Sequence, residues 1–282
     1  MTIYGWMKGN RTLPFSKLNK IIQLSDYSWE SIEKNLITIK AGIRNGEIKP
    51  NFPIKINYKL GSIIGHILGD GSIEKRFHSL FYSNSNLLLL KEFNNYMKEI
   101  FGIEARKWVQ KKRSFNEKSE WLMKVDNLNK VPEKHSVGLF YPKICTDILY
   151  SICGKFAEGT NKTITKEIMN ASKDFKKGLI RAFFDDESSV RAESYTVRLY
   201  QDRKDILEDL KEMIRKFNVE SNLTKGYDKR GKQRYYFNIT GFRNYYHFYH
   251  NIGCTSPKKK REFEILINKV KNSKQFKKKY SL

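Results

Sequence analysis

Hydrophobic positions along this 282-residue chain switch between a helical and a strand-like period, and the most informative run is YKLGSIIGHILGD at 58–70. It reads as a helix, and Gly61, Gly65 and Gly69 recur every fourth position, which lines them along one helix face. A glycine inside a helix costs roughly 1 kcal/mol relative to alanine, so the spacing predicts a compensating contact, the close approach of a second helix backbone. FKKGLIRAFFDDE at 175–187 repeats the layout with Gly178, Ala182 and Asp186, behind Ser172 as a capping residue.

The segments that follow repeat as well. SIEKR and SLFYS in the first copy, and SVRAE and YTVRLY in the second, alternate like short strands. Amphipathic helices are predicted at 87–101 and 204–217, further strands near 105–111, 121–125, 223–227 and 235–240, and closing helices near 143–153 and 242–251. The period is too long for a solenoid and suits two αββαββα halves, an α+β fold. Before the repeat, 17–24 reads as a helix. Ser28 caps a second, with Trp29, Ile32, Leu36 and Ile39 on one face and Gly42 as its stop. These two helices fit either a helix-turn-helix or a cap on the next unit. After the repeat, an apolar stripe at Phe263, Leu266, Ile267 and Val270 predicts a last helix among lysines. The expected organisation is a helical extension over 1–52, halves over 53–165 and 166–256, and a basic helix and tail over 257–282.

Composition narrows the partners. Lys and Arg total 54 against 30 Asp and Glu, a net charge of +24, which favours a polyanion and above all nucleic acid. No window of about 18 apolar residues exists, and MTIYGWMKGNRTLPF lacks the layout of a secretory signal, so neither a membrane partner nor export is expected and an intracellular setting is. Cys145, Cys153 and Cys254 show no CxxC spacing, and His247, His250 and Cys254 cluster without a fourth ligand for structural zinc. PKKKR at 257–261 matches a nuclear-import pattern, which a DNA-binding chain also carries for its substrate.

IIGHILGDG at 63–71 and IRAFFDDES at 180–188 resemble the two copies of the motif that names the LAGLIDADG homing endonuclease family. The resemblance extends from residue 57 to about 252 through the order of elements after each motif. It implies motif helices packed at a pseudo-twofold axis, a β-saddle for double-stranded DNA, a monomer carrying both halves, and hydrolysis of both strands with Mg²⁺. By register the catalytic carboxylates are Asp70 and Glu187, and the expected metal-binding residues are Asp70, Glu187, Gly69 and Asp186. Hard oxygen ligands suit such an ion, and a carboxylate at a helix C-terminus opposes the helix dipole until a cation relieves it. Two departures stand out: Ser188 replaces the motif's last glycine, and the charged Asp186 replaces a small residue. Asp186 fits either a third carboxylate of the metal site or a decayed half, whereas Asp185 is expected one turn from the axis as a local hydrogen-bonding residue.

Strand alternation then gives a contact list. With Ile73 and Val190 facing inward, Glu74, Arg76, Ser189, Arg191 and Glu193 are expected to point toward DNA, with Arg198 on the next strand. Lys107, Lys111, Lys225, Arg230 and Arg234 supply phosphate contacts from the second strand pairs, where charge on both faces leaves the DNA-facing parity open. Asn84, Lys124 and Gln201 are candidates for organising water. The alternatives to cutting are an RNA maturase acting on intron RNA and a non-cleaving DNA-binding regulator. An intein-embedded origin is less expected, because no splicing segment surrounds the repeat.

Overall fold

The computed structural model describes residues 13, 15–35, 39–40, 47–76, 78–110, 121–131, 135–228 and 231–273. Its axis is a pair of helices, α3 (Tyr58–Leu68) and α7 (Lys173–Glu187). Asn57 caps α3, its side chain accepting from the amides of Lys59 and Leu60, and Ser172 caps α7 by accepting from the Phe175 amide at 3.2 Å. The glycine face does what its spacing predicts. A Cβ on Gly61 or Gly65 would collide with the carbonyls of Phe175 and Leu179, and one on Gly178 with that of Tyr58, so the backbones touch where side chains would separate them.

Each half hangs a sheet on this axis. The second half is β10 (Ser188–Arg191), β11 (Thr196–Gln201), α8 (Lys204–Arg215), β12 (Ser221–Tyr227), β13 (Gln233–Ile239) and α9 (Phe242–Asn251), with antiparallel strands in the order β10-β11-β13-β12. The first half is β3 (Gly71–Ile73), β4 (Leu80–Asn84), α4 (Leu87–Phe101), β5 (Arg106–Gln110), β6 (Trp121–Val125), β7 (Ser136–Tyr141) and α5 (Lys143–Cys153). Its strand order is β3-β4-β7-β5-β6, so it has one strand more than the expected αββαββα unit. The strand beside β4 is β7, where β13 stands in the other half, and β6 is an added edge strand.

A short hairpin, β8 (Ala157–Glu158) and β9 (Asn161–Lys162), and the helix α6 (Lys166–Asn170) join the halves. Ahead of the axis lie α1 (Phe15–Gln23), α2 (Trp29–Asn35) and a hairpin of β1 (Ile39–Lys40) with β2 (Glu47–Ile48). The Ser28 hydroxyl accepts from the Ser31 amide, the cap expected for the second helix, but that helix stops at Asn35 and Ile39 pairs with Ile48 in a strand instead of extending it. The last helix, α10 (Pro257–Lys271), buries Phe263, Leu266 and Ile267 as the apolar stripe predicts. The core sits between helices and sheets, with Tyr82, Phe93, Tyr141, Phe183, Phe184, Phe237 and Phe263 fully enclosed. No helix among the described residues is long and apolar enough to cross a membrane.

Candidate functional site

The C-terminal ends of α3 and α7 meet. Gly69 lies so close to Asp186 that a Cβ on it would reach the Asp186 Cβ at 2.7 Å. Asp70, the exposed residue just past α3, and Glu187, the last residue of α7, therefore flank the same seam. Asp70 keeps a solvent-facing side, but desolvation by the protein packed around the rest of its carboxyl, together with the charges of Asp186 and Glu187, pushes it up to about 7. Glu187 is also pushed up, by burial first and then by Asp186, against the pull of Lys162. Carboxyls that resist ionisation, first through burial and then through one another's charge, form a locus a cation would relieve.

Lys162, on β9, reaches this locus from the connection between the halves. Its ammonium donates to the carbonyls of Leu68, at 3.1 Å, and Gly69, satisfying the open end of α3. Burial holds it below the usual lysine range, although Glu187, Asp70 and Asp186 pull it back up. The other half has a counterpart in Lys259 of α10, whose ammonium donates to the carbonyls of Phe184 and Asp185, at 2.8 and 2.7 Å, and to the Ser188 hydroxyl at 3.0 Å. Part of the PKKKR run is thus committed to closing α7 from inside the fold. Neither lysine was legible as a site residue, because each comes from an element after its sheet and touches backbone, which leaves no local pattern. Ser188 itself is unstrained, at φ −137°, and its hydroxyl donates back to the Phe184 carbonyl, so the missing glycine costs the turn nothing.

Asp186 turns inward. Its Oδ2 lies 2.9 Å from His66 Nδ1, and its Oδ1 accepts from the Tyr82 hydroxyl at 3.0 Å and from Asn84 Nδ2 at 3.1 Å. The side chain is fully enclosed, as is that of His66. Burial alone would lower His66, but the charge and hydrogen bond of Asp186 outweigh it and raise the imidazole to about 9. Both residues depart from the motif's spelling at facing positions, a joint departure that was the available signal for this pair. Behind them Arg181, also buried, reaches Glu92 through both terminal nitrogens at 3.0 and 2.5 Å, and meets Asp185 at 3.4 Å. Asp185 accepts from the Thr255 and Ser256 amides at 2.7 and 3.0 Å and so anchors the start of α10, the local hydrogen-bonding role expected for it.

Asn84 also donates to Asp70 Oδ2 at 3.0 Å. Register makes Gln201 its equivalent, since Gly71 pairs with Tyr82 and Ser188 with Leu199, each two residues earlier on its strand. The Gln201 amide oxygen accepts from the Asp202 amide instead. Gly69 offers only its carbonyl, which faces Lys162, and among the described residues no group of three or more His, Cys, Asp or Glu is placed to hold a metal ion.

The sheets settle which strand positions face away from the helices. Ser189, Arg198 and Asn238 pair across the second sheet, followed by Tyr200 with Tyr236, and the alternate positions Val190, Val197, Leu199 and Phe237 are buried. Arg191 shares the outward parity, and so does Arg234, which pairs with Gly226 and contacts Asp202 at 3.2 Å. Lys225 pairs with Tyr235 on the opposite parity. In the first sheet Lys107 is buried beside Val109 and points to the Asp126 carbonyl, while Arg106 and Trp108 face outward and Lys124 pairs with Trp108. Glu74, Arg76 and Glu193 lie in turns beyond β3 and β10, not on the strands. Lys111 and Arg230 fall outside the described residues. Arg106 is the outward-facing cation that the sequence reading passed over, because alternating charge hid the parity.

The profile of the LAGLIDADG-like domain matches this chain over residues 57–135 and 174–253, one match per half. The chain belongs to the LAGLIDADG-like family. Two curated relatives come from Methanocaldococcus jannaschii. The DNA-directed RNA polymerase subunit Rpo1C is 26% identical over 90% of this chain, and the replication factor C small subunit is 24% identical over 77%. The chain corresponds to only 26% and 10% of their respective lengths. Among solved structures, mesophilic variants of the homing endonuclease I-DmoI superpose with a TM-score of 0.50 at 13% identity, covering 74% of this chain and 98% of theirs. The homing endonuclease I-WcaI bound to its DNA recognition sequence gives 0.48 at 16% identity, covering 86% and 96%. The LAGLIDADG helices of the family are therefore α3 and α7, and the two repeats are the two sheet-bearing halves.

Proposed function

We propose that this LAGLIDADG protein is a sequence-specific DNA endonuclease of the homing type that hydrolyses one phosphodiester bond in each strand of a long target, with Asp70 and Glu187 as its catalytic carboxylates. The observation that carries the reading is the pair of carboxyls at the converging ends of α3 and α7, each held above its ordinary range in part by neighbouring negative charge. The same intact pair favours cutting over binding alone, as in a maturase or a regulator.

The donor set fits a hard divalent ion such as Mg²⁺, which keeps several waters and takes only one or two protein carboxylates together with substrate phosphate oxygens. Asp70 and Glu187 would hold it; when bound, it lowers the pKa of water and neutralises charge on the phosphoryl oxygens. The protein's own residues do the rest. Lys162 places a positive charge among Asp70, Glu187 and Asp186, where negative charge on the phosphate would develop. Asn84 orients the Asp70 carboxyl. One chain supplies both halves, so no second copy is needed to complete the pair. The outward strand faces present Arg106, Lys124, Arg191, Arg198 and Arg234, cations suited to phosphates and to guanine edges.

The test is a cleavage selection on a randomised duplex pool with Mg²⁺, run with the natural protein and with Asp70→Asn and Glu187→Gln. Recovery of one cut sequence by the natural protein, with cleavage lowered by about a hundredfold or more in either variant, supports the assignment. Salt-sensitive binding without cutting, equal in all three proteins, refutes it.

A further inference from the structure

Asn84 bridges the two motif helices. Its Nδ2 donates to Asp70 Oδ2 at 3.0 Å and to Asp186 Oδ1 at 3.1 Å, while its Oδ1 accepts from the Asn86 amide at 2.9 Å. The last bond fixes which way the amide faces. Asp186 is fixed in turn, by His66 on one oxygen and Tyr82 on the other, with its side chain wholly enclosed. A rigid chain therefore runs from the second motif helix through Asn84 to the functional carboxyl of the first.

Among the described residues the arrangement has no mirror image. By the register of the two repeats the counterpart of Asp186 is Gly69, which has no side chain, and the Gln201 oxygen is held by the Asp202 amide. We infer that Asp186 is a positioning residue: through Asn84 it fixes the carboxyl of Asp70, Glu187 has no such clamp among the described residues, and the two strands of a target are handled unequally. This rests on the endonuclease reading for its effect on strands, but not for its effect on cation binding. Asp186 acts here by geometry. Both of its oxygens are occupied by donors inside the interface, which leaves neither directed to a metal.

Two substitutions separate position from charge. Asp186→Asn keeps an oxygen for Tyr82 and Asn84 and turns its amide toward His66, whereas Asp186→Ala removes the clamp. Because Asp186→Ala strands a buried histidine, His66→Leu with Asp186→Ala serves as the second clamp-free protein, since exchanging both members of a buried ion pair for apolar groups is commonly tolerated. The first readout is Mn²⁺ binding followed by electron paramagnetic resonance in a Glu187→Gln background, which leaves Asp70 as the motif carboxylate. Loss of the clamp should weaken Mn²⁺ roughly tenfold in both clamp-free proteins, and Asp186→Asn should stay within about twofold of the parent. The second readout is strand-resolved cleavage with Glu187 restored. The clamp-free proteins should slow the strand more sensitive to Asp70→Asn by about tenfold and the other strand by less than about twofold.

An Asp186→Asn protein as impaired as Asp186→Ala would show that charge alone matters and would overturn the inference. Equal slowing of both strands, or unchanged Mn²⁺ affinity in the clamp-free proteins, would do the same. A natural protein that cuts nothing would refute the endonuclease reading, and the Mn²⁺ comparison would still decide the clamp.

Discussion

Glu92 shows how much a single buried residue can hold in this fold. Burial pushes its carboxyl up, but the hydrogen bond from His66 and the charge of Arg181 override that and bring it to about 2. A depressed carboxyl stabilises the native state above its unfolded value near 4.5, and the contribution is lost as pH falls toward 2. The shift is worth on the order of 3 kcal/mol. His66 works with the opposite sign: raised to about 9, it contributes fully below about 6.5 and loses that contribution as pH rises through 9. Glu92→Gln should therefore lie below the natural protein in urea stability from pH 5 to 6.5, with the gap closing as the pH is lowered from 4.5 to 2. A gap unchanged at pH 2.5 would contradict this account. Residues of this kind divide sharply in legibility. The placement of Asp70 and Glu187 at the two helix ends could be read from motif register, and that of Asp185 from its offset by one turn. Tyr82 and Lys162 could not, because each acts through a partner some hundred residues away in a different element.

Helices were the more legible elements. The spacing of Gly61, Gly65 and Gly178 foretold backbone contact, and the carbonyls of Phe175, Leu179 and Tyr58 occupy the places where a Cβ would go. Gly65→Ala should thus destabilise the protein by about 2–3 kcal/mol through overpacking, despite the roughly 1 kcal/mol that alanine gains in helix propensity. A urea midpoint at or above that of the natural protein would mean that the helices separate at little cost. Strands were harder to read. β7 escaped the reading because the added strand β6 breaks the correspondence between halves, and its sequence, SVGLFY, is buried at three consecutive positions and so shows no clean alternation. Ile39 was assigned to a helix because its spacing from Trp29 suits one, yet strand pairing with Ile48 takes it over. Periodicity registers which face is apolar, not where a short element stops.

Charge is the property of the whole molecule that decides how it would meet DNA. Among the cations that make up the surplus of +24, the fold sets one group on the outward sheet faces and spends another internally, Lys162 and Lys259 at helix ends and Lys107 against the core. Only the first group can displace counterions from phosphates, and each such contact steepens the dependence of affinity on salt by about one unit of logarithmic slope. Arg106 and Lys107 are adjacent in sequence and opposite in orientation, so they isolate the effect. Arg106→Gln should weaken binding to any duplex and reduce the salt slope by about 1. Lys107→Met should lower stability modestly and leave the slope untouched, because an ammonium pointing at the Asp126 carbonyl and Glu104 releases no counterion from DNA. Titrations of a labelled duplex at several salt concentrations measure both slopes. Equal reductions in the two variants would mean that the first sheet does not present the outward parity to DNA, and the saddle would have to be rebuilt around the edge strand and Lys124.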